Sequence, residues 1–149
     1  MKETKKIKIK SLTGFSLVEL LVVVAIIGIL SAVGVVSYGG YVSGAKEKST
    51  KNVMLQISLA QTEEYSNNGS YYTQADSSSC TPSSSNSDAI ETALFGGGDQ
   101  IPKDMGYEIC IAAGTGLSNF IIIAKEIKSS NACELTLERN GNFNRSEDC

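Results

Sequence analysis

Between Phe15 and Ala45 the chain carries a single charge, Glu19, and residues 20–36 are apolar except for Ser31, Gly28 and Gly34. At ~1.5 Å per residue, about 20 such residues cross a bilayer, so residues 15–42 are long enough to do so. The pattern then changes. Residues 45–65, AKEKSTKNVMLQISLAQTEEY, are rich in helix formers and free of glycine and proline. At 100° per residue Val53, Met54, Ile57, Ala60 and Tyr65 share one face, which predicts a helix packed on a globular head. Leu55 and Leu59 form a second ridge four residues apart. Its simpler reading is one wide buried face, and its functional reading is contact with neighbouring helices. Ser66-Asn67-Asn68-Gly69-Ser70 signals the helix end.

The remainder alternates differently. Residues 73–104 are irregular, with six serines between Ser77 and Ser85 and a Gly96-Gly97-Gly98 run. Ser87-Asp88-Ala89-Ile90-Glu91 predicts the capped start of one short helix through Leu94. Tyr107, Ile109 and Ile111 alternate with Glu108, Cys110 and Ala112, a first strand, and Gly114-Thr115-Gly116 is its turn. Residues 120–127 form a second strand with a Phe-Ile-Ile-Ile centre. Cys133, Leu135 and Leu137 alternate with Glu134, Thr136 and Glu138 in a third. Asn140-Gly141 is a tight turn, and a short fourth strand returns from Asn142. The fold class is α+β: one long helix on an antiparallel sheet of three or four strands.

Charge divides the chain in the same place. Five of the 13 basic residues (Lys2, Lys5, Lys6, Lys8 and Lys10) and one of the 16 acidic residues lie in residues 1–14. The rest is therefore acidic, which argues against a general nucleic-acid surface. Beyond the helix a DNA-binding stripe would have only Lys103, Lys125, Lys128, Arg139 and Arg145. A basic head before an apolar run fits a transmembrane helix oriented lysines-in, or a secretory signal. The run is too long for a usual signal core and no good cleavage site of the secretory kind follows it. Lys46, Lys48 and Lys51 mark the exit from the bilayer.

Histidine and tryptophan are absent, which removes the commonest general base and the commonest metal ligand. No carboxylate pair has a catalytic spacing, so an enzyme is not expected, and no cofactor or metal motif occurs. The GGGD stretch lacks the Lys-Ser/Thr of a phosphate-binding loop, and Asp99, Asp104, Glu147 and Asp148 form no ordered calcium motif. Cys80, Cys110, Cys133 and Cys149 contain no CxxC. An even, widely spaced set behind a membrane signal favours disulfides in an oxidising compartment, and spacing leaves three pairings open.

Gly14-Phe15-Ser16-Leu17-Val18-Glu19, after a lysine-rich leader and before the apolar helix, resembles the processing site of type IV prepilins. The resemblance implies cleavage between Gly14 and Phe15 by a prepilin peptidase, with N-methylation of Phe15. It divides the chain into a leader (1–14), a transmembrane and assembly helix (15–45) and a head (46–149). Within that head lie the second half of the helix (46–65), an irregular region (66–104) and the sheet with the C-terminal loop (105–149).

In that family the residue matching Glu19 meets the N-terminal amine of a neighbouring subunit. The alternative for the stored membrane form is a Glu19 that is protonated or satisfied within its own helix. EEYSNNGSYY resembles the segment with which pilins and pseudopilins close this helix. CELTLERNGNFNRSEDC resembles the disulfide-bounded C-terminal loop of type IV pilins, which implies Cys133–Cys149 and with it Cys80–Cys110. One departure is clear: many pilins have a proline low in the helix, whereas here only Pro82 and Pro102 occur. Gly28, Gly34, Gly39 and Gly40 stand instead, as soft spots or as close-packing positions, each costing about 1 kcal/mol relative to alanine.

The function implied is that of a filament subunit, a homo-oligomer or a co-polymer with other pilins, serving adhesion, motility or DNA uptake. Its implied partners are the peptidase and an inner-membrane assembly machinery. Its implied location is the inner membrane, head in the periplasm, and then the cell-surface pilus. The alternatives are a type II secretion pseudopilin, whose major forms usually lack the C-terminal disulfide, and a DNA-binding minor pilin for competence.

Overall fold

A computed structural model describes residues 14–115, 119–128 and 131–149. The lysines of the leader and Gly116 of the first hairpin turn lie outside them. The element order is α1 (Leu17–Asn68), α2 (Ser84–Phe95), a 3-10 turn (Lys103–Met105), β1 (Tyr107–Ala113), β2 (Phe120–Glu126), β3 (Glu134–Glu138) and β4 (Phe143–Arg145). The chain divides into two compact units, Met1–Tyr41 and Val42–Cys149.

In the first unit α1 runs through Gly28, Gly34, Gly39 and Gly40 without a break. A Cβ added at any of these four glycines would meet nothing within 4 Å. Every side chain described between Leu17 and Tyr41 is exposed. Ser31 returns its hydroxyl to the Ile27 carbonyl at 2.7 Å, so its polar atom is satisfied inside the helix.

The second unit is an antiparallel meander of four strands in the order β1-β2-β3-β4. Its register aligns Ile111 with Ile122 and Ile122 with Leu137. Alternation therefore gathers Tyr107, Ile109, Ile111, Phe120, Ile122, Ala124, Leu135 and Leu137 on one face. They pack with Val53, Met54 and Ile57 of α1 and Ile90 of α2 in one core. The expected helix face is present but shifted. Gln61 is fully buried, whereas Tyr65 is 40% exposed and stacks on Tyr71 at 4.6 Å. Gln61 bridges to the backbone of Tyr72, donating from Nε2 to its carbonyl at 2.6 Å and accepting its N–H at 2.9 Å. Leu55 and Leu59, 46% and 72% exposed, do not belong to a wide buried face.

The short helix starts earlier than its serines predict. Ser83 is the N-cap and accepts from the Asn86 N–H at 3.2 Å, because the hydroxyl of Ser87 is used elsewhere. That hydroxyl accepts the Ile109 N–H on the outer edge of β1 at 3.0 Å. Gln74 Oε1 accepts the Ile111 N–H at 3.1 Å, and the Ala75 carbonyl accepts that of Ala113 at 2.9 Å. The outer N–H groups of Ile109, Ile111 and Ala113 are thus covered by side chains and a passing segment, one way an edge strand is kept from pairing with another chain.

Gly96 closes α2 at φ 70°, with the Gly97 N–H bonded to the Glu91 carbonyl at 3.0 Å, so the glycine run is a helix stop. The first hairpin closes through Gly114, whose N–H donates to the Asn119 carbonyl at 3.0 Å. A Cβ there would lie 2.7 Å from that of Asn119.

Cys80 is bonded to Cys110 and Cys133 to Cys149. The first bond ties the serine-rich segment to β1, and the second staples the C-terminus to the start of β3. Arg145 extends that staple to the helix: its guanidinium lies 3.6 Å from Glu47 of α1 and donates to the Cys149 carbonyl at 2.7 Å. Glu47 also accepts from Lys51 at 2.8 Å, and that hydrogen bond is the first cause holding its carboxyl below the ordinary range.

Candidate functional site

The candidate site is the turn that opens α1. Ser16 precedes the helix, and its carbonyl takes the first helical hydrogen bond, from the Leu20 N–H at 3.2 Å. Helix N-termini leave N–H groups unpaired, and a serine there with a glutamate three residues on can satisfy two of them reciprocally. Ser16 and Glu19 do this. The Glu19 N–H donates to Ser16 Oγ at 3.3 Å, and the Ser16 N–H donates to Glu19 Oε2 at 2.8 Å. The serine hydroxyl adds a third bond, donating to the same Oε2 at 2.7 Å. Glu19 is therefore folded back over the first turn and bonded within its own helix.

Gly14 and Phe15 lie just outside this turn. Phe15 is 85% exposed, and Gly14 has open space where a Cβ would stand. Peptide, cap and carboxylate are thus contiguous at one helix end, while the four cysteines belong to the other unit. Ser16 is the residue that reading the sequence for processing missed. The S-x-x-E spacing is a legible capping signal, and the alternative of a Glu19 satisfied within its own helix does not by itself name the serine that does it. Gln61, Gln74 and Ser87 were missed for another reason: each joins backbone groups distant in sequence, and no local pattern announces that.

The first unit is long enough to cross a membrane: residues 17–41 of α1 extend ~37 Å. By length and composition this helix qualifies as a span, and the share of its apolar window buried within the protein is 0%. An apolar surface of this kind, exposed among the described residues, marks a membrane or protein contact.

A disulfide-bonded α+β unit on a helix of this kind, opened by a capped glutamate, defines an anchored subunit class. The comparisons give the family. The family model described as "Prokaryotic N-terminal methylation motif" matches residues 11–35. Two proteins of Dichelobacter nodosus, each named "Probable minor fimbrial protein", are 32% identical over 111 residues, 74% of this chain and 63% of theirs. The match thus spans less than two thirds of those relatives' own length. No solved structure matches. The motif and these relatives together support a type IV pilin.

Proposed function

We propose that this chain is a structural subunit of a type IV pilus, held in the inner membrane by residues 15–45 with its head (46–149) in the periplasm. A prepilin peptidase removes residues 1–14 by cutting between Gly14 and Phe15, and Phe15 is N-methylated. The processed subunit then polymerises through its N-terminal helix, with itself or with other pilins, under an inner-membrane assembly machinery. Glu19 receives the new α-ammonium during assembly. Once the two charges are desolvated, leaving either unpaired costs about 3–5 kcal/mol. The observation that carries this reading is the wholly exposed apolar stretch of α1 directly behind the processing peptide. In a filament the exposed Leu55 and Leu59 extend that contact above the membrane portion.

A minor subunit is favoured over a major one, since both relatives carry the word minor in their names. The Cys133–Cys149 staple favours a pilus over a secretion pseudopilus. Adhesion, motility and DNA uptake are the roles open to such a filament.

The test is the intact mass and N-terminal residue of the protein recovered from sheared surface filaments. N-methyl-Phe15 at the start is expected, at a small fraction of the most abundant pilin. A mature form that still begins at Met1 overturns the processing reading. Glu19→Ala is expected to be processed normally yet to assemble poorly, and normal filament yield from it removes the assembly role of Glu19.

A further inference from the structure

We infer that the outer edge of β1 keeps one open pairing position, Tyr107, and that it receives an extended peptide of another protein with an aliphatic side chain. The register carries the first step. The Gly106 carbonyl accepts the Ile127 N–H at 2.9 Å and the Gly114 N–H donates to the Asn119 carbonyl at 3.0 Å. Even-numbered residues on this line therefore face β2, and odd-numbered ones turn both N–H and carbonyl outward. Three of the outward N–H groups, those of Ile109, Ile111 and Ala113, are covered by Ser87, Gln74 and Ala75. Among the described residues nothing pairs with the outward N–H and carbonyl of Tyr107. Its side chain lies in the core and the residue is 4% exposed. Buried backbone groups are nearly always paired in native proteins, so a donor and an acceptor left open on one residue form a specific exception.

Tyr107 lines a cavity of about 180 Å³ shared with α2. That helix stands on the outer side of β1, where its Ser87 takes the Ile109 N–H. Ser84 and Asp88 of α2 form one wall and Ile101 another. Ile101 is held there by its N–H, which donates to the buried Glu91 carboxylate at 2.6 Å. Ile127, 57% exposed, adds a second apolar wall, and Lys103 and Asp88 lie 3.7 Å apart at the exposed rim.

Three features select the occupant. A donor and an acceptor on one strand residue match a peptide residue in antiparallel register, which exchanges both bonds with a single partner. The cavity is smaller than the ~300–1,000 Å³ of clefts that take drug-sized ligands, and has room for one side chain. Its charges answer one another: Asp88 has Lys103, and Glu108 stands opposite Lys125 in the register. An ionic ligand therefore finds no surplus charge, whereas an aliphatic side chain finds two isoleucines. This is strand addition reduced to one residue, with main-chain bonds for affinity and a pocket for selectivity. The cover at Ile109 stops the pairing from spreading along β1, so the contact is short and the expected affinity is about millimolar.

The test titrates the full chain, isotope-labelled and in detergent micelles, with the capped peptide acetyl-Thr-Thr-Val-Thr-Thr-amide. Amide shifts and hydrogen exchange are read residue by residue. The Tyr107 amide is expected to move and to gain protection with a Kd of about 1 mM, while the Ile111 and Ala113 amides stay in place. The same peptide N-methylated at its valine lacks the donor for the Tyr107 carbonyl and is expected to bind about ten-fold more weakly. Ile127→Ser, at an exposed position, removes an apolar wall and is expected to weaken binding about five-fold, with the urea midpoint unchanged.

No movement of the Tyr107 amide up to about 10 mM peptide overturns the inference and leaves the groove to water. Equal binding by the N-methylated peptide overturns it too, since strand pairing would not be involved. Movement of the Ile111 and Ala113 amides together with Tyr107 overturns the single-position reading, because the cover would then be displaced. A Tyr107 shift that follows protein concentration without peptide overturns the choice of occupant in favour of a second copy of this chain.

Discussion

Replacing both Cys80 and Cys110 by alanine tests how the serine-rich segment is held. The bond closes a loop of sequence separation 30, and the chain-entropy relation assigns such a closure about 3.6 kcal/mol of stability. Cys110 is fully buried, on the face opposite the Tyr107–Ile109–Ile111 row, beside Ile123 in the register. Alanine preserves that packing in part, so the loss should come mainly from the unlinked unfolded chain, while residues 70–83 lose their tether to β1. Those residues include Gln74 and Ala75, which take the Ile111 and Ala113 N–H groups of β1. Once the segment detaches, these amides meet water and are not left orphaned, so little further penalty is added.

Two results should follow for the full chain in detergent micelles. Urea unfolding followed by tyrosine fluorescence should show a loss of about 3–4 kcal/mol. Hydrogen exchange should show the amides of Ile111 and Ala113 leaving the slow group formed by the core strands. Cys133→Ala with Cys149→Ala is the control. Its separation of 16 assigns about 3.1 kcal/mol, yet it should leave Ile111 and Ala113 in the slow group. A loss below about 1 kcal/mol for the first pair, or edge amides that stay with the core, would refute the reasoning.

Gln61→Met should cost about 2 kcal/mol, because it keeps the buried volume while stripping two hydrogen bonds from the partly buried Tyr72 backbone. A urea midpoint equal to that of the parent would show that water satisfies those groups. Glu47 gives a pH dependence. Its carboxyl is held below the ordinary 4.5, first by the hydrogen bond from Lys51. Its contribution is therefore present above about pH 4.5 and is lost as pH falls through the folded value. Glu47→Gln should flatten the acid limb of stability against pH, and superimposable limbs for the two proteins would reject that assignment.

The sheet was legible because alternation is a local signal. The Tyr107, Ile109, Ile111 row and the Cys133, Leu135, Leu137 row each face inward as their period of two requires. The long helix was legible for the same reason. Its buried face was misjudged at two places where apolarity was followed too closely. Tyr65 finds its partner in the ring of Tyr71 at the helix end, while the polar Gln61 enters the core by bonding a backbone that no sequence window displays. Leu55 and Leu59 are hydrophobic and exposed, a combination that periodicity alone assigns to a core. The cap of α2 fell on Ser83 because several serines qualify locally, and only the tertiary demand of Ile109 for Ser87 decides among them. At the candidate site the peptide was legible as a motif, but the mutual bonding of Ser16 and Glu19 was not drawn from it.

The sealed edge of β1 bears on how such heads behave when crowded. Many copies held side by side raise the local concentration of every exposed strand, and an open edge would invite sheet-to-sheet zippering, which is slow to reverse. Here Ser87, Gln74 and Ala75 occupy the outer donors of Ile109, Ile111 and Ala113 in the seven-residue strand β1, and the opposite edge is β4, a strand of three residues. Neighbouring heads are thereby left to meet through side chains, which exchange partners readily. A covered edge of this kind would leave an assembly of such heads free to come apart without breaking a sheet.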